Sequence, residues 1–238
     1  MKSFQNKNIL LTGATSGIGK CMLISLLNEG ANVSFCGRSQ QKMDELLLDI
    51  KAFSKNQIYY EVFDLSDIDR LYSFIYNSYK TFDTIDMLIN CAGLNSAKGA
   101  VVDVKLSDLD YMMAINFRAP FILMQEIGKK MKEAKQGTVV NILSSVCLFN
   151  NETMASYTAS KAAMNAASKI FNKEMREHNV RTISVYPGGV DTEFRANRRT
   201  DYLPPQEVVD IILANLKAAT TASLDELIFR PMVEKNFN

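Results

Sequence analysis

The sequence predicts an α/β domain: a doubly wound parallel sheet covered by helices on both faces. Three observations predict it. Short apolar runs alternate along the chain with helical patterns, the rhythm of strand–helix–strand units in a parallel sheet. The first apolar run closes in a glycine-rich turn that opens directly into a helix, the local form of a phosphate-binding site. The residues able to do chemistry fall at the carboxyl ends of the apolar runs or on the helix that follows, which is where such sheets bind ligands.

Residues 8–11 read as the first, buried strand. Thr12-Gly13-Ala14-Thr15-Ser16-Gly17-Ile18-Gly19 follows, and a helical pattern then runs through Leu27 and stops at Gly30. The glycines permit a sharp turn and a close approach to a pyrophosphate, and the helix N-terminus supplies free N–H groups and a partial positive charge. The spacing is G-x-x-x-G-x-G, not the commonest G-x-G-x-x-G. The context is nevertheless that of a Rossmann-type, dinucleotide-binding domain. Gly13, Thr15, Ser16, Gly17, Ile18 and Gly19 are its first cofactor-binding candidates.

Residues 31–36 form a second strand ending in Gly37-Arg38-Ser39. NAD-binding folds usually present an acid here to the ribose hydroxyls, and this strand end has none. Arg38 stands where a 2′-phosphate would lie, with Ser39 as a second donor, so the expected cofactor is NADP(H). A helix over 40–53 leads to a strand over 58–63 ending in Asp64-Leu65. Asp64 can bond an adenine amino group and cap the helix that begins near Ser66. After a helix over 67–79, a strand at 87–89 closes in Asn90-Cys91-Ala92-Gly93, small residues against which a cofactor can lie. A long helical pattern over 106–131 contains Asn116, which on an apolar face needs a partner. Pro120 predicts a local break beside it.

A strand over 138–143 ends in Ser144-Ser145, and a helix from Ala155 to about 178 carries Tyr157 and Lys161. Four positions apart, these two leave the same face of the helix. A phenol with a pKa of about 10 is a poor acid or base near neutrality, and a neighbouring ammonium pulls it toward working pH. A strand over 181–185 ends in Pro187-Gly188-Gly189-Val190-Asp191-Thr192, and a helix over 205–217 and a short strand at 227–229 complete the pattern.

Composition narrows the class. The chain has 238 residues, 22% of them charged, with a net charge of +1, which gives no electrostatic pointer to nucleic acid. No repeat or linker divides it, so residues 1–238 are expected to form a single domain, with a substrate loop at about 191–204. Cys21, Cys36, Cys91 and Cys147 are scattered and form no Cys-x-x-Cys, as expected of reduced core cysteines in a cytoplasmic protein. No signal-like or membrane-spanning run is present, so no membrane partner is expected. The single histidine, His178, lies outside every motif and leaves no basis for a metal cluster or a histidine-dependent triad.

Taken together the motifs resemble the classical short-chain dehydrogenase/reductase family over nearly the whole chain. They are Thr12-Gly13-x-x-x-Gly17-Ile18-Gly19, Asp64-Leu65, Asn90-x-Ala92-Gly93, Asn116, Ser144-Ser145, Tyr157-x-x-x-Lys161 and Pro187-Gly188. The resemblance implies an NADP(H)-dependent oxidoreductase with a catalytic set of Asn116, Ser145, Tyr157 and Lys161. Tyr157 would exchange a proton with the substrate oxygen. Lys161 would lower its pKa and hold the nicotinamide ribose, the serine would bond the reacting carbonyl, and Asn116 would hold a water that relays protons. Thr192 would bond the carboxamide, with Pro187, Gly188 and Val190 beside it. Cys91 replaces the second asparagine usual in the third motif. The family's serine is the second of its pair, thirteen positions before the tyrosine. Here Ser144 has the spacing and Ser145 the order, and Ser145 is chosen.

The C-terminal stretch looks like the branch containing NADP-dependent 3-hydroxy acid dehydrogenases, which implies a 3-hydroxy or 3-keto acid among carbonyl and secondary alcohol substrates. Reductases of 3-oxoacyl carrier proteins and a non-catalytic NADP-binding regulator are the alternatives. Arg195, Arg198 and Arg199 form a basic cluster past Thr192, either an anchor for an anionic substrate, a contact to cofactor phosphates, or a solvated loop. The family commonly pairs its long helices between subunits, so a homodimer or homotetramer is expected.

Overall fold

The computed structural model describes residues 3–194, 197–217 and 222–235. Seven strands form one sheet: β1 (Asn8–Thr12), β2 (Asn32–Gly37), β3 (Ile58–Val62), β4 (Met87–Asn90), β5 (Gly137–Ile142), β6 (Val180–Pro187) and β7 (Glu226–Phe229). Their order is β3-β2-β1-β4-β5-β6-β7, and every pairing is parallel. The order reverses at β1, which lies between β2 and β4. The predicted class and architecture are those observed.

Alternation along the strands sorts side chains between two cores. In β1, Ile9 and Leu11 join one cluster and Leu10 the other; in β4, Met87 and Ile89 part from Leu88 in the same way. The first cluster includes Met22, Leu23 and Leu26 of α1 (Gly17–Asn28), Met43 of α2 (Gln40–Asp49) and, from residues 205–217, Val208, Ile212 and Leu213. The second includes Leu71 and Phe74 of α3 (Ile68–Phe82) and, from two later helices, Leu123, Ile127 and Met164. Both faces are covered, as continuous apolar strands require.

The long pattern over 106–131 resolves into α4 (Leu106–Met113), a wide π-helical turn (Ala114–Arg118) and α5 (Ala119–Ala134). The cause is Pro120 near the start of α5. It has no N–H to give the carbonyl four residues back, which is that of Asn116. The helix carrying Tyr157, α6 (Ala155–Met175), ends in a short 3₁₀ turn (Arg176–His178), and α7 is Pro205–Lys217. Among the described residues, no helix is long and apolar enough to cross a membrane.

Candidate active site

A cleft of about 730 Å³ runs across the carboxyl ends of the strands. Its floor is the glycine turn. Gly13 (φ +73°) and Gly17 (φ +51°) hold left-handed backbone, accessible to glycine at little cost. A Cβ on Gly13 would stand 2.7 Å from the Ala92 Cα, so the loop is pressed directly on the end of β4. Thr12 tightens the same junction: its hydroxyl accepts from the N–H groups of Cys91 (3.2 Å) and Ala92 (3.1 Å). Ser16 makes no side-chain cap to α1, and the first turn carries no acid. The N–H groups of that turn, in a stretch that lines the cleft, are left for an anion.

At the β2–β3 end, Arg38, Tyr111 and Asp64 form a chain. An Arg38 N–H donates to the Tyr111 hydroxyl (2.6 Å), which donates to Asp64 Oδ2 (2.6 Å), and Arg38 itself lies 4.0 Å from that carboxylate. Burial raises the Asp64 carboxyl pKa, but hydrogen bonds from Tyr111 and Ser66 and the Arg38 charge outweigh it and hold the group below its ordinary range. Asp64 does not cap α3. It accepts from Ser66 N–H and Oγ at 2.8 and 2.7 Å, holding the turn, while Asp67 caps the helix through Arg70 N–H. Ser39 caps α2 by accepting from Lys42 N–H (3.3 Å), and its own proton remains to donate. The Lys42 ammonium reaches across the cleft to Glu193.

In the middle of the cleft α6 presents Tyr157 and Lys161, 6% and 5% exposed. Tyr157 packs with Met112, Val146, Leu94 and Met154, and its ring lies 5.8 Å from that of Phe194. Lys161 Nζ donates to the Ile142 carbonyl at the end of β5 (2.8 Å). Burial lowers its pKa from 10.5 to about 8. Cys91 is itself pushed up by burial to about 12, a neutral thiol beside Lys161. Ser144 accepts from Val146 N–H (3.3 Å) as the cap of a 3₁₀ turn. Ser145, 8% exposed, lines the cleft without that local bond.

Nearly all predicted site residues meet in this one cleft: Gly13, Thr15 to Gly19, Arg38, Ser39, Asp64, Leu65, Ala92, Gly93, Ser145, Tyr157, Lys161, Pro187, Gly188, Val190 and Thr192. Two do not line it. Asn90, expected against a cofactor, donates instead to Asn141 Oδ1 (2.8 Å), and Asn141 donates to Ser168 (2.9 Å), a buried polar chain behind the strand ends. Asn116 sits one layer back. Its amide accepts from Leu94 N–H (2.8 Å) and donates to Leu94 O (2.8 Å) and Ser160 Oγ (3.0 Å). The side chain is thereby committed to shaping the segment after β4. In the arginine cluster, Arg198 is held by Asp191 (3.0 and 2.8 Å) and Arg199 by Asp201 (2.8 Å). Arg195 lies outside the described residues.

The match to the short-chain dehydrogenase family model spans residues 7–203. The chain belongs to that family. As a short-chain dehydrogenase it is 34% identical over 183 residues to an uncharacterized short-chain type dehydrogenase/reductase of Sinorhizobium fredii, covering 77% of this chain and 69% of the relative. It is 29% identical over 188 residues to the 3-oxoacyl-[acyl-carrier-protein] reductase of Thermotoga maritima, 79% of this chain and 76% of the relative. Among solved structures, a metagenomic short-chain oxidoreductase in complex with NADP superposes with a TM-score of 0.85 at 26% identity, over 97% of this chain and 100% of that one.

Three residues of this dehydrogenase site escaped the sequence reading. Tyr111 looks like one more apolar position of a helix, Lys42 like a solvated helix residue, and Glu234 like part of a charged tail. Only the first had a usable signal: α4 is the helix that follows β4, whose carboxyl end carries cofactor candidates, so its aromatic could have been weighed as a cleft wall.

Proposed function

We propose that this short-chain dehydrogenase transfers hydride between NADP(H) and a carbonyl or secondary alcohol. The observation that carries the proposal is the convergence of Tyr157, the buried Lys161 and Ser145 in the cleft whose floor is the glycine turn. The residues present suit a dinucleotide. The compressed glycine turn and the uncapped α1 N-terminus would take the pyrophosphate. Arg38 and Ser39 would take a 2′-phosphate, and Asp64 and Leu65 would flank the adenine. Ala92, Gly93, Pro187, Gly188, Val190 and Thr192 would wall the nicotinamide end. Asn90 is left out of this set, for the reason given above. The segment at about 191–204 would cover the substrate.

When bound, the nicotinamide supplies the hydride; the protein orients and moves the proton. Tyr157 would hold the substrate oxygen and pass its proton to it in reduction, or take it in oxidation. Lys161, a turn away and anchored on Ile142 O, would stabilise the phenolate and bond the ribose. The Ser145 hydroxyl would steady the carbonyl. A 3-hydroxy or 3-keto acid and, as the Thermotoga relative suggests, a 3-oxoacyl chain are substrate classes to include. A purely regulatory NADP-binding protein would have no use for an ammonium buried at the cost of its solvation. The four cysteines are unpaired, which supports a cytoplasmic setting. The test is a panel of carbonyl compounds with NADPH, followed by its absorbance, with the Tyr157→Phe protein as the matched blank. No carbonyl-dependent oxidation of NADPH anywhere in a broad panel would reject the reading.

Two expectations accompany it. Lys161 should lose its proton near pH 8, the value set by burial; above that pH the site has room for a proton released by an alcohol, and below it the site can supply one. Initial-rate kcat/KM for alcohol oxidation should therefore rise between pH 7 and 9, and that for carbonyl reduction should fall. A flat profile in both directions would contradict the pairing. Phe121 on α5 and Ile170 on α6 are exposed apolar side chains (43% and 57%), and the homodimer or homotetramer is expected to bury them. Light scattering at micromolar protein should then give at least twice the chain mass, and a monomer mass would exclude it.

A further inference from the structure

The substrate end of the cleft contains a carboxylate that the catalytic reading leaves unused. After β7 the chain makes a turn, closed by Glu234 N–H donating to Pro231 O (3.0 Å), and passes over the carboxyl end of β6. β7 is tied there by Gly188 N–H donating to Phe229 O (2.9 Å). The fold-back places the Glu234 side chain in the cleft wall with Gly188, Val190, Phe194, Tyr202 and Tyr157. A Cβ on Gly188 would meet the Glu234 carboxylate and lie 3.0 Å from Arg230 Cβ, so the tail packs directly on the end of β6.

The two oxygens of Glu234 differ. Oε1 accepts from Gly189 N–H (2.7 Å), which fixes the carboxylate in place. Oε2 is buried and has no hydrogen-bond partner among the described residues. The guanidinium of Arg230 stacks on the Phe149 ring, 4.1 Å from its centroid. A buried carboxylate oxygen without a donor is unfavourable, and a ligand that supplies one relieves the penalty.

The remaining charges of the cleft are accounted for. Arg38 and Asp64 are joined through Tyr111, Lys42 pairs with Glu193, and Lys161 is held on Ile142 O. Lys98, the other cation of the lining among the described residues, is exposed. Among the described residues, Glu234 is thus the acid of the cleft lining that no cation of that lining claims.

We infer that Glu234 is a specificity-determining residue whose free oxygen takes an N–H donor of the substrate, so that the preferred carbonyl or alcohol carries a protonated amine. The inference rests on the proposed hydride-transfer reading for its substrate class. A simple carboxylate-bearing substrate would be repelled here, unless it carries an ammonium group as well.

Three ketones of matched shape test it: 4-(dimethylamino)butan-2-one as the cation, 5-methylhexan-2-one as its neutral counterpart and 4-oxopentanoate as the anion. Their kcat/KM values with NADPH are compared in the wild type, Glu234→Gln and Glu234→Asp. Ketone affinity is also read by calorimetry on the same proteins. The cation should exceed the neutral ketone by about ten-fold, as one charge-assisted hydrogen bond implies, with the anion lowest. Glu234→Gln should erase most of that ratio, and Glu234→Asp, which keeps the charge, should retain part of it. Cation and neutral ketone within about two-fold in the wild type, or a ratio that survives Glu234→Gln, would overturn the assignment and leave Oε2 to a water. Equal loss in the Gln and Asp variants would also overturn it, reducing Glu234 to a packing role for the tail. Failure of the hydride-transfer reading looks different: NADPH binds or not, no ketone is turned over, and the calorimetric ratio still reports on Glu234.

Discussion

Tyr157→Phe should lower carbonyl-dependent NADPH oxidation by about three orders of magnitude, within the range lost with a general acid, while NADPH affinity stays within about two-fold. The substitution removes one oxygen. The ring keeps its contacts with Met112, Val146 and Met154 and its neighbour Phe194, and Lys161 keeps its bond to Ile142 O. Neither the fold nor the cofactor wall has reason to move, so the loss should fall on kcat. Lys161→Ala is the informative contrast. It should damage turnover and cofactor affinity together, because the same ammonium would serve the phenol and the ribose. Steady-state kinetics and a fluorescence titration of NADPH separate the two patterns. Retention of more than about a tenth of wild-type activity by Tyr157→Phe would remove the tyrosine from the proton-transfer role, since a general acid contributes far more than that.

The fold was legible because its signals are local. The apolar runs Ile9-Leu10-Leu11 and Met87-Leu88-Ile89 mark the strands, and the two-residue period of a strand then sends alternate side chains to the two cores. Pro120 marked the break beside Asn116 because a missing N–H acts on the carbonyl four residues back, whatever the tertiary context. Helix ends were less legible: the 40–53 pattern stops at Asp49, since apolar residues can continue past the last helical turn and pack from a loop. The glycine turn, the Tyr157–Lys161 pair and the strand-end segments were readable for the same local reason. The rest of the site depends on contacts between distant segments, which no spacing encodes. Tyr111 meets Asp64 across 47 positions, Lys42 meets Glu193 across 151, and Glu234 meets Gly189 across 45. The arginine cluster left its three readings open for a related reason. Asp191, Asp201 and the arginines are neighbours in sequence, but only the folded loop shows that Arg198 and Arg199 are each claimed by an acid.

Arg38→Asp should weaken NADPH binding by about one to two decades, the range of a lost charge-assisted contact of roughly 1.5–3 kcal/mol, and should turn the cofactor preference toward NADH. Arg38 is 66% exposed along its side chain, and only one of its N–H groups is committed, to Tyr111. The other donors of the guanidinium fork remain for a phosphate. Asp64 at 4.0 Å and the Tyr111 bridge hold the guanidinium against the strand ends rather than letting it range through solvent. The replacement acts twice. It removes the donor fork, and it sets a second carboxylate near Asp64, whose combined charge would repel a 2′-phosphate. The ribose of NADH bears a hydroxyl there instead, which a carboxylate at this strand end can accept from, so NADH should lose little or gain. Because Arg38 is exposed, salt screens part of the effect, and the titrations belong at one fixed ionic strength near 0.1 M. Equal NADPH and NADH dissociation constants in the wild type would show that Arg38 does not select the phosphate. A variant with unchanged preference would move that role to Ser39 or Lys42, its neighbours in the cleft lining.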